Sequence, residues 1–329
     1  MVATALLRVN TMVQKPPSIL TANLACFFAM LLWAVGFPAT EVLLDSWGAL
    51  SLLNIRMGIS AVLLLLCWAY FDGFEAIVNA NWPLALLVGG LGFGIGTILL
   101  MIGQKLSDPV TPAIAAAMMP IFGAMLEILF DGRKLRPLLV LGILLALGGG
   151  YLATGVKLED SQFGLGALLC LLAIILFACA TRANTKNFQD LSALGQSTVG
   201  IVGAFTTGIL CYLIAISFGL GETGIGNHDV FHISLLLYVA IFSIAVAQSL
   251  WIWAVGGLGI LVASFHMNAV PFYVMVTVVL LMGGEWNWWQ AAGAGLVAVG
   301  VILAQLASRR QWTSDQAHPL ATTDIHNND

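Results

Sequence analysis

Apolar stretches of membrane-spanning length recur along the chain, divided by short polar or Gly/Pro-rich breaks. A helix crossing the hydrocarbon needs about 20 apolar residues. Ten segments reach that length: 19–41, 48–71, 82–104, 109–130, 136–156, 163–184, 191–218, 231–254, 258–282 and 288–307. The clearest breaks are Asp72–Gly73, Ser107–Asp108–Pro109, Asp131–Gly132–Arg133–Lys134, 157–162, 182–190 and 219–229. The break at Gly256–Gly257–Leu258–Gly259 carries no charge. The pattern predicts an all-α integral membrane protein of ten transmembrane helices, with polar tails at 1–18 and 308–329.

The apolar pattern repeats. Pro120 and Pro271 are 151 positions apart, and at that offset Leu129 meets Leu280, Gly142 meets Gly293, Leu145 meets Leu296 and Gly149 meets Gly300. Leu152–Ala153 then meets Leu303–Ala304. Self-similarity at one offset is the mark of duplication. It divides the chain into repeats of five helices, 19–156 and 163–307. An odd number of spans turns the second copy over, so the halves are expected to be inverted, with a substrate site at their interface. Pro120 and Pro271 are the expected hinges.

Basic residues set the orientation. With the N-terminus in the cytoplasm, Arg8, Lys15, Arg133, Lys134, Arg136, Arg182, Lys186, Arg309 and Arg310 fall inside, and only Lys105 and Lys157 outside. An even helix count puts both termini in the cytoplasm. Acids take the outer loops: Glu41, Asp45, Asp108, Glu159, Asp160, Glu222, Asp229 and Glu285. Arg56 is left over, inside the second span.

Composition agrees. Hydrophobic residues make up 60% and charged residues 9% of the 329, whereas soluble domains carry about 25% charged residues. Lipid must solvate most of this surface, and spans that recur to Ala307 are no signal peptide. The net charge of −4 gives no reason to expect a nucleic-acid partner. The five cysteines all lie in apolar segments, with neither disulfide nor metal spacing. Gly89–Gly90–Leu91–Gly92–Phe93–Gly94–Ile95–Gly96 imitates a phosphate loop, but no strand precedes it and no lysine follows. Close helix crossings explain it better. His228 and His232 are spaced i,i+4 with no third ligand evident. No metal and no cofactor is expected.

Leu32–Trp33–Ala34 in the first span, Leu53–Asn54–Ile55–Arg56 in the second, and the series Pro120, Gly142, Gly149 and Pro271, Glu285, Gly293, Gly300 resemble the drug/metabolite transporter superfamily. The EamA-type families are the nearest in pattern, over roughly residues 20–307. Gly284–Glu285 matches the Gly-Glu that ends the fourth helix of a repeat there; Arg133–Lys134 departs from it in the first half. The resemblance implies two inverted five-helix repeats and a carrier for small organic solutes or amino-acid-like metabolites, usually an exporter. Aromatic amino acid exporters belong to the group.

Polar groups inside a bilayer are costly and mark functional candidates. Arg56, with Asn54 beside it, suits a substrate carboxylate bound bidentately, or it pairs with a neighbouring acid or caps carbonyls. Glu127, seven residues past Pro120, is a candidate for proton coupling because burial raises a carboxyl pKa, or it snorkels to Arg133 or Lys134. Gln248, Trp251, His266 and Asn268 belong to the cytoplasmic half. His266 and Asn268 point about 200° apart on a helix, so only one faces a cavity squarely. Pro271 frees a carbonyl near residue 267, which Asn268 is placed to satisfy; His266 is then the substrate contact. Trp33 and Tyr273 are candidates for an aromatic wall, whereas Trp47, Trp82, Trp286, Trp288 and Trp289 read as interfacial belt.

The expected activity is that of a secondary carrier, not an enzyme: a monomer in the inner membrane, with a small-molecule substrate and the bilayer as its partners. A membrane enzyme needs a catalytic cluster at one face, and a channel needs charged rings or a repeated filter. Neither pattern is found. A drug or cation efflux carrier of the same fold is the remaining alternative.

Overall fold

The computed structural model describes residues 18–131, 137–154, 161–219, 221–258 and 263–317. All regular structure among them is helical. The elements are α1 Ile19–Leu44, α2 Ala49–Phe71, α3 Trp82–Lys105, α4 Val110–Phe130, α5 Pro137–Thr154, α6 Ser161–Asn187, α7 Ala193–Ser217, α8 Val230–Leu258, α9 Val270–Met282 and α10 Trp288–Ala317. Seven of these, α1 to α4 and α6 to α8, are long and apolar enough to cross a membrane. Within α5, α9 and α10 the described apolar runs are shorter, at Pro137–Gly150, His266–Met282 and Trp288–Leu303.

Side chains at the breaks explain the boundaries. Ser18, Asn81, Ser192 and Asp229 cap α1, α3, α7 and α8, each accepting a backbone N–H from the first turn. Gly283, at φ +65°, closes α9, and the N–H groups of Gly283 and Gly284 both return to the Val278 carbonyl. Several boundaries differ from the sequence expectation: α6 runs on to Asn187, α8 to Leu258 and α10 to Ala317, and α9 starts at Val270 after a 3-10 turn. Helix α1 runs through Pro38 and on to Leu44, ending at Asp45. Glu41, read from sequence as an outer-loop acid, therefore belongs to the last turn of α1.

Packing relies on small residues, as it must where lipid offers no hydrophobic drive between helices. A Cβ on Gly149 of α5 would meet the Gly293 carbonyl and the Val297 nitrogen of α10, both at 2.7 Å. A Cβ on Gly300 would meet the Gly142 carbonyl at 2.5 Å. The four glycines paired by sequence offset thus face each other crosswise at one crossing. The glycine run of α3 behaves likewise: Gly89 abuts Gly203 of α7, and Gly103 abuts Gly166 of α6. These are helix crossings, as the sequence suggested.

The principal contacts come in matched sets. Helix α1 packs on α8 and α6 on α3; α2 packs on α8 and α7 on α3; α1 packs on α9 and α6 on α4. The pairs α2–α7, α4–α9 and α5–α10 complete the framework. Local irregularities match too. Wide π-helical turns occupy Val88–Gly94 in α3 and Val239–Val246 in α8, and they begin 151 positions apart. The α4 helix breaks at Met118 and resumes at Met119; a 3-10 turn at Ser264–Ala269 gives way to α9 at Val270. Each proline is the second residue after its break. The freed Met267 carbonyl accepts the Val270 N–H, so backbone does what sequence analysis assigned to Asn268.

The α7–α8 connection is strapped onto the α1–α2 turn. Gly48 N–H donates to the Gly224 carbonyl at 2.9 Å, and Ala49 N–H to Glu222 Oε2 at 2.9 Å. Lys105 Nζ closes on Glu222 Oε1 at 2.7 Å. Burial works against the Glu222 carboxylate, but the Lys105 ammonium and the Ala49 N–H outweigh it and hold the carboxyl below its ordinary value. Trp47, expected in an interfacial belt, is buried here and donates Nε1 to the Asn227 carbonyl.

Candidate functional site

Six helices, α1 to α3 and α6 to α8, surround a cavity of about 140 Å³, with Met119 and Met267 reaching it from the breaks before the two prolines. An engineered apolar cavity of about 150 Å³ admits a benzene ring, so this space suits one amino-acid-sized solute. Both π-helical turns reach its wall. At a 151-residue offset, α3 and α8 supply paired lining positions: Phe93 with Ile244, Thr97 with Gln248, and Leu100 with Trp251. The Thr97 hydroxyl donates to the Phe93 carbonyl at 2.7 Å, satisfying backbone in the widened turn.

Among the described residues, Arg56 is the charged group of this wall. Its residual exposure is 7%. Its Nη1 donates to Thr40 Oγ1 at 3.2 Å, and its Nε has no hydrogen-bond partner among the described residues. No carboxylate lines the cavity, and none pairs with Arg56, among those residues. The backbone holding it is anchored by Ser60, whose hydroxyl contacts the carbonyls of Arg56 and of Ala240 in α8, each at 2.7 Å.

Gln104 of α3 lines the same cavity and is only 2% exposed. Its Nε2 donates to the Phe37 carbonyl at 2.8 Å and to Glu41 Oε2 at 2.9 Å. Trp33 and Phe37 meet edge to face with centroids 5.0 Å apart, and the Ser243 hydroxyl of α8 packs against Gly36 and donates to the Trp33 carbonyl.

Of the sequence candidates, Trp33, Arg56, Gln248 and Trp251 line this cavity. The others lie elsewhere. Asn54 Nδ2 bridges the Leu50 carbonyl and the Gly208 carbonyl of α7 at 2.7 and 3.1 Å, tying two helices. His266 turns back to the Ala263 carbonyl at 3.2 Å, and Asn268 is buried away from the cavity. The 3-10 winding explains both: at three residues per turn, the residue between them, Met267, is the one that faces inward. Tyr273 packs on Phe27 of α1 with centroids 6.0 Å apart. Pro120 and Pro271 are buried beside the breaks. The Glu127 side chain, with Arg133 and Lys134, lies outside the described residues. His232 Nδ1 meets Asp229 Oδ2 at 2.6 Å within a helix cap. Sequence reasoning passed over Thr40, Thr97, Gln104 and Thr181. Gln104 was legible as a polar residue closing a span; the threonines resemble ordinary helix-backbone donors.

An all-helical bundle with membrane-length apolar helices around a partly polar cavity is the architecture of a multi-pass membrane protein with room for a small solute. Residues 20–155 match the EamA-like transporter family. The "Uncharacterized transporter YyaM" of Bacillus subtilis (strain 168) is 22% identical over 76% of this chain and 82% of its own. A "Probable terminal-alkyne amino-acid exporter" of Streptantibioticus cattleyicolor is 21% identical over 85% of this chain and 91% of its own. A solved crystal structure, 18% identical, shares the fold with a TM-score of 0.65, over 88% of this chain and 98% of its own. The first half of the chain thus matches the EamA-like transporter family, and the chain along most of its length is similar to proteins named as transporters, which supports membrane transport.

Proposed function

We propose that the chain is a secondary carrier exporting small organic metabolites, amino acids among them, across the inner membrane by alternating access. In this reading it works as a monomer of ten spans in two inverted five-helix repeats, with both termini cytoplasmic. The observation that carries it is the matched architecture around one cavity: contacts, π-helical turns and pre-proline breaks recur at one sequence offset, and α3 and α8 contribute paired lining positions. A pseudo-symmetric pair of halves has two equivalent arrangements about a fixed site, which alternating access requires. One relative is named as an amino-acid exporter, and the basic residues favour cytoplasmic termini. Trp33, Arg56, Gln248 and Trp251 would contact the solute, Pro120 and Pro271 would let α4 and α9 flex, and Glu127 is the coupling candidate. The test is an untargeted metabolite comparison of cells with and without the protein, followed by uptake into inverted vesicles. A metabolite that falls inside expressing cells and accumulates in those vesicles supports export. Unchanged pools with no uptake contradict it.

A further inference from the structure

We infer that the cavity takes a compact solute bearing one carboxylate, held by Arg56 with Thr40, and that it rejects solutes whose only charge is positive. This rests on the carrier reading and narrows it to a substrate class. A guanidinium carries five N–H donors in a planar fork matched to a carboxylate. In Arg56 one donor is given to the Thr40 hydroxyl, and the buried Nε is unpartnered among the described residues. Burying a charge without a counter-charge is costly, so an anion entering beside Arg56 gains both hydrogen bonds and charge compensation. The nearest carboxylate along α1 does not supply it: Glu41 accepts from Gln104 instead.

Charge balance fixes the class. One guanidinium and one hydroxyl match one negative charge, which suits a carboxylate better than a doubly charged phosphate. No carboxylate among the described residues lines the cavity, so a lone ammonium finds only Arg56's repulsion and no anion. A zwitterion is accommodated because its ammonium can lie over the faces of Trp33 or Trp251. Met30 and Met57 offer an adaptable surface to the apolar part. The cavity volume of about 140 Å³ limits the body to roughly one ring.

The test uses three probes of one shape on the purified full chain: hydrocinnamate, L-phenylalanine and phenethylamine. Binding is read by tryptophan fluorescence and flux in proteoliposomes. Both carboxylates should bind at least about tenfold more tightly than the amine. Arg56→Gln should weaken the carboxylates by on the order of thirtyfold, the scale of removing one partner of a buried charged pair, while leaving the amine unchanged or improved. Arg56→Lys, which keeps the charge, guards against a folding artefact and should fall between. Thr40→Val should weaken the carboxylates a few-fold. Amine binding equal to that of the carboxylates, no binding of either carboxylate, or full carboxylate affinity in Arg56→Gln overturns the inference. Arg56-independent flux of phenethylamine would overturn the substrate class yet leave the carrier standing. Absence of flux for every solute in a loaded metabolite extract would remove the carrier itself.

Discussion

The Arg56 guanidinium, at 7% exposure, has the Thr40 hydroxyl as its side-chain hydrogen-bond partner among the described residues. The same economy of partners governs Gln104, which satisfies the Phe37 carbonyl and Glu41 through a single nitrogen. Gln104→Leu should lower stability by about 1–3 kcal/mol, because both acceptors lose their donor at a buried site; thermal unfolding in detergent measures this, and an unchanged midpoint would show that solvent reaches both. Glu222 gives a pH-dependent case. Its carboxyl is held below its ordinary value when folded, so its contribution is present above the unfolded pKa and lost as pH falls through the lower folded value. The stability advantage of the wild type over Glu222→Gln should therefore be constant near neutrality and disappear in acid. An advantage that grows with acidity would contradict the assigned partners. For Glu127, whose side chain lies outside the described residues, the proposal is tested by flux against pH in Glu127→Gln. A coupling role flattens the profile, and an unchanged profile removes it.

Among elements, the glycine crossing of α5 and α10 makes the sharpest demand. Gly149→Ala and Gly300→Ala each force a methyl against backbone, and overpacking of this kind costs about 1–3 kcal/mol. Gly148, one residue away, faces open space, and Gly148→Ala should be neutral or slightly stabilising. Equal effects at 148 and 149 would mean that the helices do not cross there. The four glycines were legible in sequence as a repeat, but that they meet each other at one crossing was not, since an offset does not say which helices touch. The prolines likewise announced the breaks at Met118 and before Val270. The winding of the segment before Pro271 was not legible. A 3-10 turn and an α-helix share composition, yet they rotate His266 and Asn268 differently, and Met267 faces the cavity instead. The π-helical turns were equally hidden, since hydrophobic period does not distinguish them from the α-helix around them.

For the whole molecule, apolar length and charge contrast were enough to read a helical membrane protein, and family resemblance supplied the transporter class. Seven helices meet the spanning length within the described residues, and three fall short of it. The cavity was only partly legible. Trp33, Arg56, Gln248 and Trp251 stand out as polar or aromatic residues within apolar runs, whereas the contribution of α3 through Phe93, Thr97 and Gln104 depends on how the halves interlock. If specificity arises where the paired lining differs, exchanging Thr97 and Gln248 should alter solute preference more than maximal flux. A change in maximal flux alone would point to the conformational step instead. The central claim is that this bundle moves small organic solutes. The most direct test loads proteoliposomes of the purified chain with a cellular metabolite extract and follows every component by mass spectrometry beside protein-free vesicles. The account predicts selective, saturable loss of a few compact carboxylate-bearing metabolites from the protein-containing vesicles. Indistinguishable profiles from the two preparations would contradict it.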